Sequence, residues 1–355
     1  MRCPGCRFMN WRKFMAVEYA DNPSVAVIGA GSWGTALAAL LAGKLPQVTL
    51  WAREPEVVEG INQGHHNPVY LADLDLPPNL VAHQDLAWVA ANHDVLVMVV
   101  PTQFCRQVLA QLKPHVRPHV TFVSATKGVE TANLALISEI FTQTFAAPIA
   151  QRTCYLSGPS FAREVIAGQP VAVAMAGADE AALAAMQALF FFPHFRTYST
   201  SDVVGVELGG ALKNIIAIAA GISDGLGYGA GARAALITRG LAEIARLGHI
   251  YGANPQTFAG LSGMGDLLMT ASSTLSRNYT TGFRLGQGES LSHISGSSRE
   301  VAEGVQTAAS TWLLAQRHGV EMPITQAVHA ILFEQVPPQQ AVTQLLNRDM
   351  KREAV

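Results

Sequence analysis

The stretch SVAVIGAGSWGTALAALLA, residues 24–42, constrains the fold of this chain most strongly. A β-branched apolar run ends at Gly29, Gly31 and Gly34, which have GxGxxG spacing, and small helix-forming residues follow. In a dinucleotide-binding unit the first glycine permits a tight turn, the second admits a pyrophosphate, and the third lets helix and strand pack closely. The amides at the helix N-terminus then face the anion. We therefore predict a strand, turn and helix that bind a dinucleotide.

Two other interpretations of this stretch are weaker. A glycine-rich turn that only packs is common, but the strand before it and the helix after it favour nucleotide binding. A mononucleotide P-loop is disfavoured because no Lys-Ser or Lys-Thr pair follows at the required spacing.

The tip of the next predicted strand bears on which dinucleotide is bound. Arg53 there would accommodate a 2′-phosphate and favours NADP, whereas Glu54 would hold the ribose hydroxyls of NAD if the strand ended one residue later. The predicted cofactor is NADP or NAD, with NADP favoured.

Alternation along the chain predicts two kinds of structure. Short apolar runs alternate with helical patterns up to residue 200, which indicates a mostly parallel sheet. Beyond Ser199 long helical patterns take over. We predict a tail at 1–21, an α/β Rossmann-type N-terminal domain at 22–200 and an all-α domain at 201–355. The predicted strands are 25–28, 48–51, 95–100, 120–124, 153–156 and 171–176, and the main predicted helices are 203–222, 232–251, 278–287, 307–318 and 338–347.

Composition excludes several classes of partner. With 24 basic and 26 acidic side chains the chain has no bulk charge that would attract nucleic acid. No run of about 18 apolar residues predicts a membrane span. The segment 1–21 lacks the apolar region of a signal peptide, which indicates a loose tail or a start at Met15. The cytoplasm is the expected compartment, because four scattered cysteines do not form a disulfide framework.

No metal site is expected. Cys3 and Cys6 have CxxC spacing, but no second pair or histidine cluster completes a zinc site. His65 and His66 lie in a polar turn without an acidic or sulfur ligand nearby.

Three loops follow predicted strands, where open parallel sheets bind ligands. They are residues 101–104, 126–128 and 157–162. Lys127 in the second loop is either a solvated surface lysine or a ligand-binding group. Its position after an apolar strand and before a glycine leaves both interpretations open.

The helix predicted at 203–222 is apolar on nearly every side, yet it contains Lys213. Gly209 and Gly210 lie on the same side and cost a helix about 1 kcal/mol each relative to alanine, so we expect them to leave space for nicotinamide and substrate. Burial lowers the pKa of a lysine, which would let Lys213 exchange a proton near neutral pH. The alternative is a structural ion pair with Glu207 or another acid.

Another helix begins with an unusual combination at Ser276, Arg277 and Asn278. Serine is a good N-cap, but a cation in the first helical turn opposes the helix dipole. An anion at this end would resolve the conflict, and a hydroxyl, a guanidinium and an amide suit a phosphate group. An ordinary capped surface helix is the alternative.

Taken together, these motifs resemble the bacterial NAD(P)-dependent glycerol-3-phosphate dehydrogenases. The resemblance runs in order from residue 24 to the C-terminal helices and leaves out the first 21 residues. The motifs that carry it are GAGSWGTALA (29–38), ATKGVE (125–130), LSGPSFAREV (156–165), ALKNIIAIAAGISDGLG (211–227), LSGMGDLLMT (261–270), SRNYTTG (276–282) and VAEGVQTA (301–308).

The resemblance implies reversible reduction of dihydroxyacetone phosphate to sn-glycerol 3-phosphate for phospholipid synthesis by a homodimer, with Lys213 as the proton acceptor in the oxidation. It implies that the dinucleotide contacts Ser32, Trp33, Arg53, Lys127, Ala162, Arg277, Val301 and Glu303. It also implies that the substrate lies among Lys127, Gly158, Ser160, Lys213, Asp266, Ser276, Arg277 and Asn278.

Two other functions remain open from the residues. A β-hydroxy acid dehydrogenase would share the two-domain plan and the helix lysine, but Ser276 to Asn278 argue for a phosphorylated substrate. A redox-sensing regulator would bind NADP without turnover, and the buried lysine argues against it.

Overall fold

The computed structural model describes residues 22–296 and 302–349. An open eight-stranded sheet forms its N-terminal part, and a short two-stranded hairpin lies beside it. The strands are β1 (Val25–Ile28), β2 (Val48–Trp51), β3 (His66–Asn67), β4 (Leu71–Asp75), β5 (Leu80–His83), β6 (Val95–Met98), β7 (Thr121–Ser124), β8 (Cys154–Ser157), β9 (Val171–Gly177) and β10 (Phe195–Thr200).

Helices cover the sheet and then form the C-terminal part. The helices around the sheet are α1 (Ser32–Ala42), α2 (Pro55–Gly64), α3 (Leu86–Asn92), α4 (Thr102–Leu112), α5 (Ile137–Thr144), α6 (Ala147–Arg152), α7 (Ala162–Ile166) and α8 (Glu180–Leu189). The others are α9 (Val203–Gly225), α10 (Ala230–Ile250), α11 (Pro255–Ala259), a π-helical turn (Leu261–Gly265), α12 (Asp266–Ala271), α13 (Arg277–Gly286), α14 (Leu291–Gly296), α15 (Glu303–His318), α16 (Pro323–Phe333) and α17 (Pro338–Leu346).

The strand order creates a crevice beside the glycine turn. The sheet runs β10-β9-β8-β7-β6-β1-β2-β5, and six neighbouring strands from β8 to β5 are parallel. In the sheet β1 lies between β2 and β6. The chain passes from β1 to β2 on one side of β1 and later returns to β6 on the other side of β1. Such a reversal opens a ligand crevice at the carboxyl ends of the strands. The predicted Rossmann-type, mostly parallel sheet is confirmed.

The last two strands run the other way. β9 pairs antiparallel with β8, and β10 is parallel to β9, so β10 ends at the sheet edge opposite the crevice. Helix α9 begins at that edge and runs alongside β8 in the same direction as that strand. Near its start Val206 lies close to Tyr155, and four residues later Gly210 lies against Ser157 at the end of β8. This path carries the middle of α9 to the crevice.

Helix α9 is the core of the helical part. It is buried from Val206 to Ser223 except at Glu207, as its all-round apolar sequence predicts. Among the described residues it alone has the length and hydropathy of a membrane-crossing helix, and 83% of that apolar window is buried inside the protein, as in the core helix of a soluble protein. Helix α13 packs closely on α9 at Gly221, which has no side chain. A Cβ there would lie 2.0 Å from the carbonyl oxygen of Tyr279 on α13.

The structure differs from the sequence-based prediction in several elements. Strands β5 and β10 were not predicted, and His66, which was expected to lie in a polar turn, belongs to the β3–β4 hairpin. Both missed strands lie at edges of the sheet, where alternate side chains face solvent and the apolar signal is weak. Helix α15 begins four residues earlier than expected, at Glu303, and α16 was missed.

Candidate active site

The glycine turn has the shape that a bound pyrophosphate needs. Gly29 has a φ of +116°, and a Cβ there would lie 2.8 Å from the carbonyl oxygen of Val99. A Cβ on Gly34 would lie 1.8 Å from the oxygen of Gly29. A Cβ on Gly31, in contrast, would have no neighbour within 4 Å. Folding therefore requires the first and third glycines, while the second keeps the crevice side of the turn open.

The residues around this turn fit a dinucleotide. Gly31 is the N-cap of α1, and no side chain caps this helix end. The indole Nε1 of Trp33 is buried without a hydrogen-bond partner in the described part of the chain. Buried donors are nearly always satisfied, so this one indicates a ligand or a solvent molecule beside the start of α1.

Two lysines share one buried carboxylate where the helical part meets the sheet. Asp266, the first residue of α12, is fully buried, and its Oδ1 accepts a hydrogen bond from Lys213 Nζ. Its Oδ2 accepts one from Lys127 Nζ at 2.8 Å. Lys213 Nζ also donates to Thr270 Oγ1 at 2.9 Å. We call Lys127, Lys213 and Asp266 the lysine–aspartate cluster.

This arrangement tunes the proton affinity of Lys213. Burial lowers the pKa of Lys213 to about 8; the carboxylate of Asp266 opposes that shift, and the adjacent Lys127 ammonium adds to it. Burial alone would raise the pKa of Asp266, but the two ammonium groups outweigh it and hold that pKa below its usual value. Asp266 thus stays ionised, and Lys213 changes charge near neutral pH, as a general acid or base requires.

The structure corrects the expected role of Gly209 and Gly210. A Cβ on Gly209 would lie 2.3 Å from the carbonyl oxygen of Ser262 in the π-helical turn, and one on Gly210 would lie 2.4 Å from the hydroxyl of Ser157. Protein atoms therefore fill the space predicted for nicotinamide and substrate. Gly209 instead lets α9 approach the π-helical turn, which leads directly into Asp266, and Gly210 lets α9 approach the end of β8.

The N-terminus of α13 faces the glycine turn from the other side of the crevice. Ser276 is its N-cap, and its Oγ accepts a hydrogen bond from the amide of Tyr279. Arg277 Nη2 lies 3.5 Å from Ser32 Oγ on α1. Asn278 Oδ1 accepts from the amide of Gly304 at 3.0 Å, which ties α13 to the start of α15.

Glu303, the first residue of α15, lies within electrostatic reach of all the basic groups. Burial raises its pKa to about 7, whereas the charges of Arg277, Lys127 and Lys213 lower it. The Glu303 carboxylate therefore interacts electrostatically both with the lysine–aspartate cluster and with Arg277 beside the glycine turn.

The loop after β8 forms another wall. Gly158 has a φ of +143°, and a Cβ there would lie 2.8 Å from Val173 Cα. Its carbonyl oxygen accepts from Lys127 at 3.4 Å and from Ser160 Oγ at 3.1 Å. Ala162 begins α7 and is partly buried.

One predicted site residue stands apart from this group, and another lies outside the described residues. The Arg53 side chain is 80% exposed beyond β2 and donates to Glu54 at 3.3 Å. Val301 lies outside the described residues. Among the described residues, no group of three or more His, Cys, Asp or Glu side chains lies together as metal ligands would.

Sequence reasoning missed three participants. Thr270 lies four residues after Asp266 on one helix face, a spacing that could have identified it. Ser157, 3.5 Å from Asp266 Oδ2, was treated only as part of a loop. Glu207 was considered only as a partner of Lys213, but it binds Ser138 instead.

Two family models match the chain. The model described as the N-terminus of NAD-dependent glycerol-3-phosphate dehydrogenase matches residues 24–183, and the one described as its C-terminus matches residues 202–343. The chain belongs to the NAD-dependent glycerol-3-phosphate dehydrogenase family. This confirms the resemblance that the motifs predicted.

Similar proteins cover most of this glycerol-3-phosphate dehydrogenase family member. A protein of Geobacter metallireducens named glycerol-3-phosphate dehydrogenase (NAD(P)+) is 54% identical over 329 residues, which are 93% of this chain and 98% of the relative. One of Leptospira biflexa with the same name is 50% identical over 331 residues, 93% and 99% of the two chains. The use of NAD or NADP agrees with the predicted cofactors.

Solved structures agree with the fold. The crystal structure of glycerol-3-phosphate dehydrogenase from Coxiella burnetii is 38% identical, with a TM-score of 0.88 over 93% of this chain and all of the other. The enzyme of Plasmodium falciparum is 26% identical, with a TM-score of 0.83 over 94% and 98% of the two chains. A D-mandelate dehydrogenase, 11% identical with a TM-score of 0.60 over 90% and 99% of the two chains, shares the fold alone.

Proposed function

We propose that this protein catalyses the reversible, NAD(P)-dependent reduction of dihydroxyacetone phosphate to sn-glycerol 3-phosphate. The observation that carries the proposal is the lysine–aspartate cluster. It places a lysine with a pKa of about 8 in the cleft between the sheet and α13. The family to which the chain belongs supports the same reaction.

Lys213 moves the proton in this reaction. During reduction its ammonium donates a proton to the oxygen that develops on C2 of the substrate, and during oxidation its neutral amine takes that proton back. Asp266 holds the Lys213 ammonium in place. Lys127, bound to the other oxygen of the same carboxylate, adds positive charge that would stabilise the developing negative charge on the substrate. When bound, the nicotinamide supplies or accepts the hydride.

Ser32, Trp33 and the glycine turn would hold the dinucleotide, with Ala162, Val301 and Glu303 completing its site. Arg277 would contact both cofactor and substrate because it lies beside Ser32 on α1. A guanidinium, an amide and a helix N-terminus suit a phosphate, so the triose phosphate would bind at Ser276, Arg277 and Asn278. Gly158 and Ser160 would line the triose on the side of the β8 loop.

NADP is the proposed preference. Arg53 lies at the tip of β2, where a guanidinium accommodates a 2′-phosphate, and its exposed side chain is able to reorient. Glu54 beside it would serve the ribose hydroxyls of NAD, which accounts for use of either cofactor.

We further propose a domain boundary at residues 200 and 201, supported by the end of β10 at Thr200 and the start of α9 at Val203. The free, buried thiols of Cys105 and Cys154 support a cytoplasmic location. A homodimer that supplies glycerol phosphate for phospholipid synthesis follows from the family resemblance.

A cofactor and substrate panel tests the proposed reaction. Absorbance of the reduced nicotinamide should fall when dihydroxyacetone phosphate is added with NADPH or NADH, and non-phosphorylated keto acids should give no turnover. Turnover of a keto acid alone would instead support a hydroxy acid dehydrogenase. Cofactor binding without turnover of any ketone would support a regulator.

A further inference from the structure

In the proposed reaction each reduction takes one proton from Lys213, and that proton must be replaced before the next turnover. Lys213 is only 6% exposed, and its Nζ contacts Asp266 and Thr270. A substrate on the cleft side covers it further. Replacement of the proton therefore needs a route through the protein.

A small cavity lies behind the lysine–aspartate cluster. Its volume of about 10 Å³ has room for roughly one water molecule. The hydroxyl of Ser124 in its wall is buried without a hydrogen-bond partner in the described part of the chain. The polar lining is able to bind a water on several sides and consists of Ser124, Thr126, Lys127, Tyr155, Ser157 and Glu207.

The cavity borders the cluster at Lys127. Lys127 lines it and donates to Asp266 Oδ2, and Ser157 Oγ lies 3.5 Å from the same oxygen. Lys127 and Lys213 bind the two oxygens of one carboxylate, and the charge of Lys127 acts on Lys213. The shared carboxylate therefore holds the two amines side by side.

Glu207 also lines the cavity and lies on the same helix as Lys213. Its carboxylate accepts hydrogen bonds from the amide of Ser138 at 2.8 Å and from the hydroxyl of Ser138 at 2.6 Å. Burial raises the pKa of Glu207 to about 7, against the effect of these hydrogen bonds. As a residue Glu207 is partly exposed, unlike its neighbours Val206 and Leu208, and this exposure gives its protons a route to solvent.

The other ionisable groups around Glu207 do not replace it. Glu139 on α5 adds negative charge that raises the pKa of Glu207. Tyr155 on β8 and Cys105 on α4 have pKa values raised by burial, that of Cys105 to about 12, and both stay neutral. Lys127 is the cation that lines the same cavity.

We propose that Glu207 is a positioning residue that supplies protons, through one water molecule in this cavity, to Lys127 and from there to Lys213. After reduction the neutral amine of Lys213 takes a proton from the Lys127 ammonium. Lys127 takes one from the water, the water takes one from the Glu207 carboxylic acid, and the carboxylate takes one from solvent. One proton crosses each contact and no charge accumulates. The role rests on the proposed reductase activity.

The test replaces Glu207 with glutamine, which retains an acceptor for the Ser138 amide but has no proton to supply. We expect kcat for reduction of dihydroxyacetone phosphate to fall about 10- to 100-fold, with KM within about twofold. The ratio of kcat in H₂O to that in D₂O should rise. The isotope effect from reduced cofactor deuterated at C4 should fall toward 1, because proton supply and not hydride transfer becomes rate-limiting.

Glu243→Gln is the matched control. Like Glu207, Glu243 is a carboxylate that accepts hydrogen bonds from backbone amides and a hydroxyl. Its donors are Ile324 and Thr325 at the start of α16, and it does not line the cavity. Its replacement should alter thermal stability and leave both isotope effects unchanged.

The outcomes separate the relay from the reaction itself. An E207Q variant with wild-type kcat, or one that is slower with unchanged isotope effects, overturns the relay and leaves the reductase activity standing. If E207Q does not fold, Ser124→Ala decides: the same isotope signature supports the relay, and wild-type kinetics overturn it. Wild-type protein without any activity on dihydroxyacetone phosphate would overturn the proposed function and the relay together.

Discussion

Replacing Asp266 with asparagine removes the charge that holds two ammonium groups together in a fully buried position. A neighbouring opposite charge shifts the pKa of a partner by about 1 to 3 units. Lys213, with a pKa of about 8 in the wild-type protein, should therefore lose its proton at a correspondingly lower pH in D266N.

The kinetic consequence is a shift of the pH profile. At pH 7 about nine-tenths of Lys213 is protonated in the wild-type protein, and after a shift of about 2 units about one-tenth remains. The midpoint above which reduction declines should move down by about 1 to 3 units, and a shift of about 2 units should lower the rate at pH 7 about tenfold. Initial rates of NADPH oxidation between pH 5.5 and 9.5 measure both quantities.

The same substitution should make stability depend on pH. A lysine whose pKa is lower in the folded than in the unfolded protein opposes folding at low pH, because the unfolded chain binds the proton more tightly. This cost is fully present below the folded pKa and disappears as pH rises towards the unfolded value. We expect D266N to lose about 1 to 4 kcal/mol in urea unfolding at pH 6 and less at pH 9.

A surface carboxylate provides the control for D266N. Asp73 forms an exposed bidentate pair with Arg163, and Asp73→Asn should leave the pH profile unchanged. A D266N profile whose midpoint stays near pH 8, or a loss of stability equal at pH 6 and pH 9, would refute the assigned coupling between Asp266 and Lys213.

The remaining predictions concern the lysine and the nucleotide site. Lys213→Ala should reduce turnover at least about 100-fold, while the affinity for NADPH, measured by fluorescence titration, stays near the wild-type value. The surface variant Lys113→Ala should remain fully active. An active K213A would contradict the proton-transfer role of Lys213. Gly34→Ala should impair folding because its Cβ would overlap the Gly29 carbonyl, whereas Gly31→Ala should fold, by circular dichroism, and lose cofactor affinity; equal behaviour of the two would contradict the turn geometry. Arg53→Ala should weaken NADPH binding about tenfold relative to NADH, and an unchanged ratio would exclude a 2′-phosphate contact.

The nucleotide half was largely predictable because its signals are local. The bounds of β1 and β2 agree with the sequence analysis, since a fully buried parallel strand is a continuous apolar run between glycine or proline signals. The direction of β9 was not predictable, because helix α7 lies between β8 and β9 and the order strand, helix, strand suggests a parallel pair.

The site was predictable only within segments. Burial of Lys213 follows from the apolar helix around it, and the N-cap role of Ser276 follows from the residue type. The pairing of Lys213 with Asp266, which are 53 positions apart, depends on the packing of α9 against the π-helical turn. Gly209 and Gly210 were misinterpreted for that reason, since a missing side chain does not reveal whether protein or ligand occupies the space.

The reversed direction of β9 and β10 has a consequence for sequence length. Because α9 starts at the far edge of the sheet, the ten residues before Lys213 must span the length of a short strand. At 1.5 Å per residue they rise about 15 Å. A single inserted or deleted residue in that interval would rotate the Lys213 side chain by about 100° around the helix axis and away from Asp266. The number of residues between 203 and 213 is therefore constrained as strictly as the absence of a side chain at Gly209.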